Sequence, residues 1–140
     1  MTLNWKRIWL GALAGGVVWG VWSCVTNFVV LTRQYEAAQG MGTMLPQARY
    51  FFFVPAWFVT LFVLSFVLAW IYAGVRATLG KGPKTAVFVG FVLGFAFSFP
   101  PNFILAAWAP FPRIIPLWWM LEVWVGAVLA TFVAGWIYRD

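Results

Sequence analysis

The acidic residue Glu122 lies deep inside an apolar run and is the strongest candidate for chemistry in this sequence. At 1.5 Å per helical residue it is about 12 Å below the expected outer membrane boundary, and Asn27 and Asn102 are about 9 Å below it. A carboxyl group at that depth is costly unless it is paired, protonated or hydrated, so it marks a functional-site hypothesis. Arg33 and Arg113, at the outer edges of their runs, are further candidate partners.

Two interpretations of this polar site follow from the same residues. In the first, a protonated Glu122 forms a hydrogen bond with Asn102 and holds the third and fourth apolar segments in register, because buried polar side chains join transmembrane helices. In the second, Glu122 carries a proton or balances a cation during transport or ligand binding. Both interpretations stay open at the level of the sequence.

The pair Pro100-Pro101 predicts a helix kink at a similar depth. Each proline lacks an amide donor, so the carbonyls of Ala96 and Phe97 lose their helical partners. Either Asn102, Ser98 or water supplies the missing donors, or the broken turn lines a water-filled cavity, as in some transporters.

The composition excludes several kinds of catalytic and metal site. The chain has no histidine and one cysteine, Cys24, which removes histidine-ligated haem, zinc and copper, a histidine general base and a cysteine pair. No catalytic or metal-binding motif is present, so the sequence predicts a protein that is not an enzyme. The formal charge of +6 does not indicate nucleic-acid binding, because the basic residues stand at the ends of apolar runs.

Four apolar segments must position these side chains. Each is long enough to cross hydrocarbon about 30 Å thick, which needs roughly 20 residues of helix. The sequence therefore predicts an all-α, four-transmembrane-helix bundle in one domain, residues 1–140, with helices at about 8–32, 50–75, 85–108 and 115–138. A short interfacial helix is predicted at 33–39, after the first span.

Similar segments in the two halves of the chain indicate an internal repeat. The motif at 16–20, followed by Asn27, resembles the motif at 90–94, followed by Asn102. Two tandem helical hairpins of equal orientation imply a pseudo-two-fold axis along the membrane normal. The alternative is convergence, because apolar helices reuse a small set of residues.

Small residues recur at every fourth position of the predicted spans. They let helix backbones approach closely, which drives helix association in lipid. The glycines predicted to pack in this way are Gly16, Gly20, Gly90, Gly94 and Gly126. Because the four helices offer more such faces than one bundle needs, we expect a homo-oligomer or a larger membrane protein complex.

The distribution of Lys and Arg predicts the orientation. Placing both termini in the cytoplasm puts six basic residues inside and three outside, as the positive-inside rule favours. The inner six are Lys6, Arg7, Arg76, Lys81, Lys84 and Arg139, and the outer three are Arg33, Arg49 and Arg113.

Aromatic side chains make up 21% of the chain, with 11 Trp and 15 Phe. Contact with membrane lipids explains most of them, and no cofactor is predicted. A quinone or a pigment stays an open alternative, because aromatic rings also pack against planar ligands.

Three segments resemble an uncharacterised family of small bacterial four-helix integral membrane proteins. They are the opening Asn4-Trp5-Lys6-Arg7 with Gly11 and Gly15-Gly16, the turn Gly82-Pro83-Lys84-Thr85-Ala86, and the close Ala134-Gly135-Trp136-Ile137-Tyr138. The resemblance implies four helices and the bacterial inner membrane, and it implies no activity.

Two classes of function are consistent with these features. The leading hypothesis is a non-enzymatic structural or accessory subunit, self-associating or packed in a larger membrane complex. The rival is a small transporter, channel or hydrophobic-ligand-binding protein that works through Glu122.

Overall fold

A computed structural model describes residues 2–139 as an all-helical bundle, and no strand occurs within that range. The elements are α1 (Trp5–Val25), a π-helical segment (Thr26–Val30), α2 (Thr32–Gly40), α3 (Phe53–Leu79), α4 (Pro83–Trp108) and α5 (Ile114–Ile137). Four of these, α1 with its π-helical extension, α3, α4 and α5, are long and apolar enough to cross a membrane. The predicted all-α fold with four spans is confirmed, and α2 is the short helix expected after the first span.

Capping side chains, glycines and a proline explain where several of the helices begin and end. The side chain of Asn4 caps α1, because its Oδ1 accepts a hydrogen bond from the Arg7 N–H at 3.1 Å. Between α3 and α4 the chain reverses at Gly80 and Gly82, whose φ angles of +91° and +123° favour glycine. Pro83 then opens α4, where its missing N–H costs nothing.

Helix α5 is the centre of the bundle. It packs against α1, α3 and α4, whereas α4 packs mainly on α5 and meets α3 only slightly. A pseudo-two-fold axis relating the hairpins α1/α3 and α4/α5 would make the α3–α4 contact as extensive as the α1–α5 contact. The helix contacts do not show that symmetry, so the internal repeat stays a prediction from the sequence.

The glycines of the small-residue rows lie at contacts inside the bundle. An added Cβ at Gly90 would stand 2.7 Å from the Cα of Val128, and one at Gly94 would stand 2.8 Å from the Cβ of Ala127. These two glycines therefore let α4 approach α5. In the same way, aromatic rings of the neighbouring helices cover the remaining three glycines, with Phe62 on Gly16, Phe58 on Gly20 and Trp19 on Gly126.

Candidate functional site

The side chain of Glu122 is buried, with 2% of its surface exposed, on the side of α5 that faces α1. The Nδ2 of Asn27 donates a hydrogen bond to the Glu122 Oε2 at 3.4 Å. Ser23 and Trp57 also lie beside this carboxyl group. The residues around the Glu122 carboxyl group therefore come from α1, its π-helical extension and α3.

Asn102 does not form the hydrogen bond with Glu122 that the sequence predicted. It is buried, and its Nδ2 donates to the carbonyl of Ser98 at 2.8 Å, one turn back in α4. Residues four apart overshoot one helical turn by about 40°. The row Ala86, Gly90, Gly94, Ser98 and Asn102 thus slants around α4, and Asn102, at its end, bonds its own helix instead of α5.

The π-helical segment places Asn27. The Leu31 N–H donates to the carbonyl of Thr26 at 2.9 Å, five residues back, so this turn is wider than an α-helical turn. The Nδ2 of Asn27 also bonds the carbonyl of Ser23 at 2.9 Å. Asn27 is held by its own helix while it reaches Glu122, and such π segments are frequent at functional positions.

A chain of hydrogen bonds connects Glu122 to α2. The indole N–H of Trp119 donates to the Tyr35 oxygen at 2.6 Å, and the Tyr35 hydroxyl donates to the Asn27 Oδ1 at 2.5 Å. Two further indoles join it, from Trp57 to the Ser23 Oγ at 3.0 Å and from Trp22 to the Glu122 carbonyl at 3.1 Å. We call the seven residues the Glu122 network: Trp22, Ser23, Asn27, Tyr35, Trp57, Trp119 and Glu122.

The network is built from neutral donors. Burial raises the pKa of Tyr35 to about 12, so its hydroxyl stays protonated at physiological pH and can donate to Asn27. Arg33 and Arg113 are exposed, and neither forms an ion pair with Glu122. The predicted arginine partners therefore do not reach the carboxyl group.

One oxygen of the carboxyl group, Oε1, is buried and has no hydrogen-bond partner, and the same holds for the Thr26 Oγ1. The Oε1 atom can accept one hydrogen bond or hold one proton. Residues 2–139 contain no group of three His, Cys, Asp or Glu side chains that could hold a metal ion. The arrangement can fasten helices together and can exchange a proton at one atom.

The proline pair lies away from this network. Helix α4 continues through Pro100 and Pro101, and both are exposed. The donors predicted for the carbonyls of Ala96 and Phe97 go to other acceptors: the Ser98 hydroxyl bonds the Phe95 carbonyl at 3.4 Å, and Asn102 bonds the Ser98 carbonyl. The structure thus brings together Glu122 and Asn27, and leaves Asn102, Arg33, Arg113 and both prolines outside.

Sequence reasoning missed most of the Glu122 network. Tyr35 stood in a helix expected only to lie on the membrane surface, and Trp22, Trp57 and Trp119 were counted as bulk aromatic residues. A usable signal was the spacing of Ser23 and Asn27, which puts two polar side chains on one face of the first span.

Comparisons of the chain with protein-family models, curated proteins and solved structures found no match. Its four long apolar helices fit the class of multi-pass helical membrane proteins. The family resemblance of the three sequence segments stays a prediction.

Proposed function

We propose that this protein is a non-enzymatic accessory subunit of a larger membrane complex, and that it docks on another protein through the exposed face of α4. The observation that carries the proposal is the position of two backbone carbonyls. Pro100 and Pro101 remove the helical donors of the Ala96 and Phe97 carbonyls, and Ala96 and both prolines are exposed.

A carbonyl group without a donor is costly in hydrocarbon, by several kcal/mol on the usual scale. Ala96 is about 18 Å below Trp108 along α4, close to the middle of the bilayer, where no water supplies donors. A partner helix that presents a hydroxyl or amide side chain at this depth recovers that free energy. The two carbonyls that lack their helical donors therefore favour a partner with hydrogen-bond donors.

A second copy of this chain does not fit that requirement in a symmetric contact. Two-fold contacts place the same surface on both subunits. The exposed side chains of α4 between 87 and 107 are all Phe, Val, Ala, Pro or Ile, and none has a donor. A different membrane protein is therefore favoured over the homo-oligomer.

The same face has a regular shape. Phe95, Phe99 and Phe103 stack along α4, with ring centroids 5.0 and 5.3 Å apart and ring planes within 15° of parallel. This ridge lies beside the carbonyls of Ala96 and Phe97. It gives a partner helix a defined apolar surface to pack on.

The test is the native mass of the protein, purified from its own membranes in mild detergent, with and without Pro100→Ala/Pro101→Ala. The alanines restore N–H donors to both carbonyls and favour the helix, so the variant should fold and lose its partner. Pro55→Ala is the matched control, because Pro55 is exposed in the first turn of α3, where no helical hydrogen bond is missing.

We expect the wild type and Pro55→Ala to elute as a complex, and the double variant to elute as the free 15.8 kDa subunit. A wild type that is monomeric, a mass that is a multiple of this chain alone, or a complex that survives both alanines would overturn the proposal. So would a bound quinone or pigment in place of a protein.

The proposed location is the bacterial inner membrane, with both termini in the cytoplasm. The six-to-three distribution of basic residues supports it. In a Cys24→Ser background, a membrane-impermeant thiol reagent should label Gln47→Cys and spare Lys84→Cys in intact cells. The reverse labelling pattern would invert the topology.

A second candidate function, a small transporter or ligand-binding protein that uses Glu122, is favoured by the unpartnered Oε1. Glu122→Gln keeps the acceptor for Asn27 but cannot exchange a proton. If that variant folds normally and loses proton-coupled uptake in reconstituted vesicles, the second function replaces the first.

A further inference from the structure

A cleft of about 180 Å³ opens at the end of the bundle where α3 ends and α4 begins. It lies between α3, the turn at 80–82 and the last turns of α5. Its lining includes Tyr72, Arg76, Lys81, Phe132, Trp136 and Arg139. These residues come from three separate parts of the chain, so the cleft exists only in the folded bundle.

The part of the cleft at the end of the bundle, near the turn at 80–82, is basic. Arg76 is buried, with 2% of its surface exposed, and its Nη1 donates to the carbonyl of Tyr138 at 2.6 Å, while its guanidinium lies 4.7 Å from the centre of the Tyr138 ring. Lys81 and Arg139 are exposed at the mouth, and the Arg139 guanidinium lies 5.3 Å from the centre of the Trp136 ring. The contact with Trp136 holds the Arg139 guanidinium, whose several donors suit the oxygens of a phosphate.

The part of the cleft that lies deeper in the membrane, along α5, is apolar and open to the bilayer. Trp136 and Phe132 are 60% and 42% exposed, and Phe132 is one helical turn, or about 6 Å, deeper in the membrane. The cleft therefore places cations at the level of lipid headgroups and an aromatic wall beside the acyl chains. A soluble anion would contact only the basic part of the cleft.

The geometry points to a binding site for an anionic phospholipid, whose phosphate contacts Lys81 and Arg139 and whose acyl chain lies along Trp136 and Phe132. Basic clefts between transmembrane helices on the positively charged side of a protein bind such headgroups. The site does not involve the Glu122 network or the exposed face of α4, so it stands independently of the proposed function.

The test uses the full chain in nanodiscs of phosphatidylcholine that contain about 10% phosphatidylglycerol, so that an anionic lipid must be selected from a zwitterionic excess. Native mass spectrometry of the released protein then reports the bound lipid. The variant Lys81→Gln/Arg139→Gln removes two cations at the mouth. The matched control, Lys6→Gln/Lys84→Gln, removes two exposed cations at the same end that do not line the cleft.

We expect one phosphatidylglycerol molecule to stay bound to the wild type and to the control. The Lys81/Arg139 variant should lose it, with an affinity lower by about fivefold for each cation removed. Equal retention in all three proteins, or equal loss in both variants, would overturn the site.

Two further arms separate the lipid from free phosphate. In detergent, phosphatidylglycerol should raise the melting temperature of the wild type, whereas inorganic phosphate at the same concentration should leave it unchanged. A Phe132→Ala variant should weaken phosphatidylglycerol binding, because the acyl chain loses its aromatic wall. Stabilisation by inorganic phosphate alone, or a Phe132→Ala variant with unchanged binding, would contradict an assignment to a lipid.

Discussion

The helices α4 and α5 are similarly apolar, yet α5 is central in the bundle and α4 is peripheral. In an apolar stretch of 18 residues of α5, 44% of the residues are buried inside the protein, against 22% in the corresponding stretch of α4. Helix α5 contacts every other span and carries Glu122, whereas α4 rests on α5 and turns a ridge of phenylalanines outward. Hydropathy therefore identifies a span, and it does not tell whether that span is central or peripheral in the bundle.

Disrupting the contact between α4 and α5 tests this difference most strongly. Gly90→Leu/Gly94→Leu should have the largest effect, because the added side chains meet the α5 backbone near Val128 and the side chain of Ala127. Overpacking costs about 1–3 kcal/mol at each position, so the free energy of unfolding should fall by several kcal/mol. Unfolding in mixed micelles with increasing SDS measures it.

Gly74→Leu is the matched control for that experiment. A Cβ at Gly74 meets nothing within 4 Å, and the residue is exposed on α3. The control should unfold within about 0.5 kcal/mol of the wild type, as surface substitutions usually do. If the double leucine variant is as stable as this control, α4 does not rest on α5 as described.

Substitutions of Glu122 test the central position of α5 more specifically. Glu122→Leu removes the acceptor of the Asn27 Nδ2 and should lower the free energy of unfolding by about 1–3 kcal/mol. Glu122→Gln keeps an acceptor of the same shape and should cost less. Equal losses for both variants would show that charge, and not the hydrogen bond, matters at this position.

Removing the hydrogen bond that joins α2 to the bundle should lower the free energy of unfolding by a smaller amount, and that amount should depend on pH. Tyr35→Phe removes the bond to Asn27 and should cost about 1 kcal/mol near neutral pH. The pKa of Tyr35 is raised to about 12, so the folded protein keeps the phenol proton that the unfolded chain releases above pH 10. The stability that Tyr35 contributes is therefore complete below pH 10 and falls as the pH rises toward 12.

The measurement is the melting temperature of the wild type and of Tyr35→Phe between pH 8 and 11. This range brackets the ordinary pKa of tyrosine, about 10. The difference between the two proteins should narrow above pH 10. A difference that widens with pH would contradict the assigned protonation of Tyr35.

The smallest effect concerns Asn102. Because Asn102 bonds Ser98 and not Glu122, the losses caused by Asn102→Ala and Glu122→Gln should add within about 0.5 kcal/mol in a double-mutant cycle. The corresponding cycle between Asn27 and Glu122 should show coupling. Strong coupling of Asn102 to Glu122 would support the hydrogen bond between these two residues that the sequence predicted, and would contradict the bonding described for Asn102.

The sequence predicts the four apolar helices and the short helix after the first of them, because length and apolarity alone determine these features. It does not predict the partner of Glu122. That choice depends on the rotation of each helix about its axis, and the wide turn at Thr26–Val30 changes this rotation just where Asn27 lies.

The role of Tyr35 could not be predicted for a related reason. Its bond to Asn27 requires α2 to fold back against α1 and α5, and a sequence pattern for a surface helix carries no information about its direction. The kink predicted at Pro100 and Pro101 stays a prediction, and their exposure on the outer side of the bundle is a property of the packing, which the sequence does not give.

Photo-crosslinking in intact membranes tests most directly that α4 is the docking face. Phe103→p-benzoylphenylalanine places the probe on the exposed ridge, and Val63→p-benzoylphenylalanine places it on the exposed side of α3, with 60% and 55% of the native side chains exposed. The account predicts an adduct with one different membrane protein from Phe103, none from Val63, and loss of that adduct in Pro100→Ala/Pro101→Ala. Adducts only with lipid or with a second copy of this chain, or an adduct that persists when the carbonyls of Ala96 and Phe97 regain their donors, would contradict it.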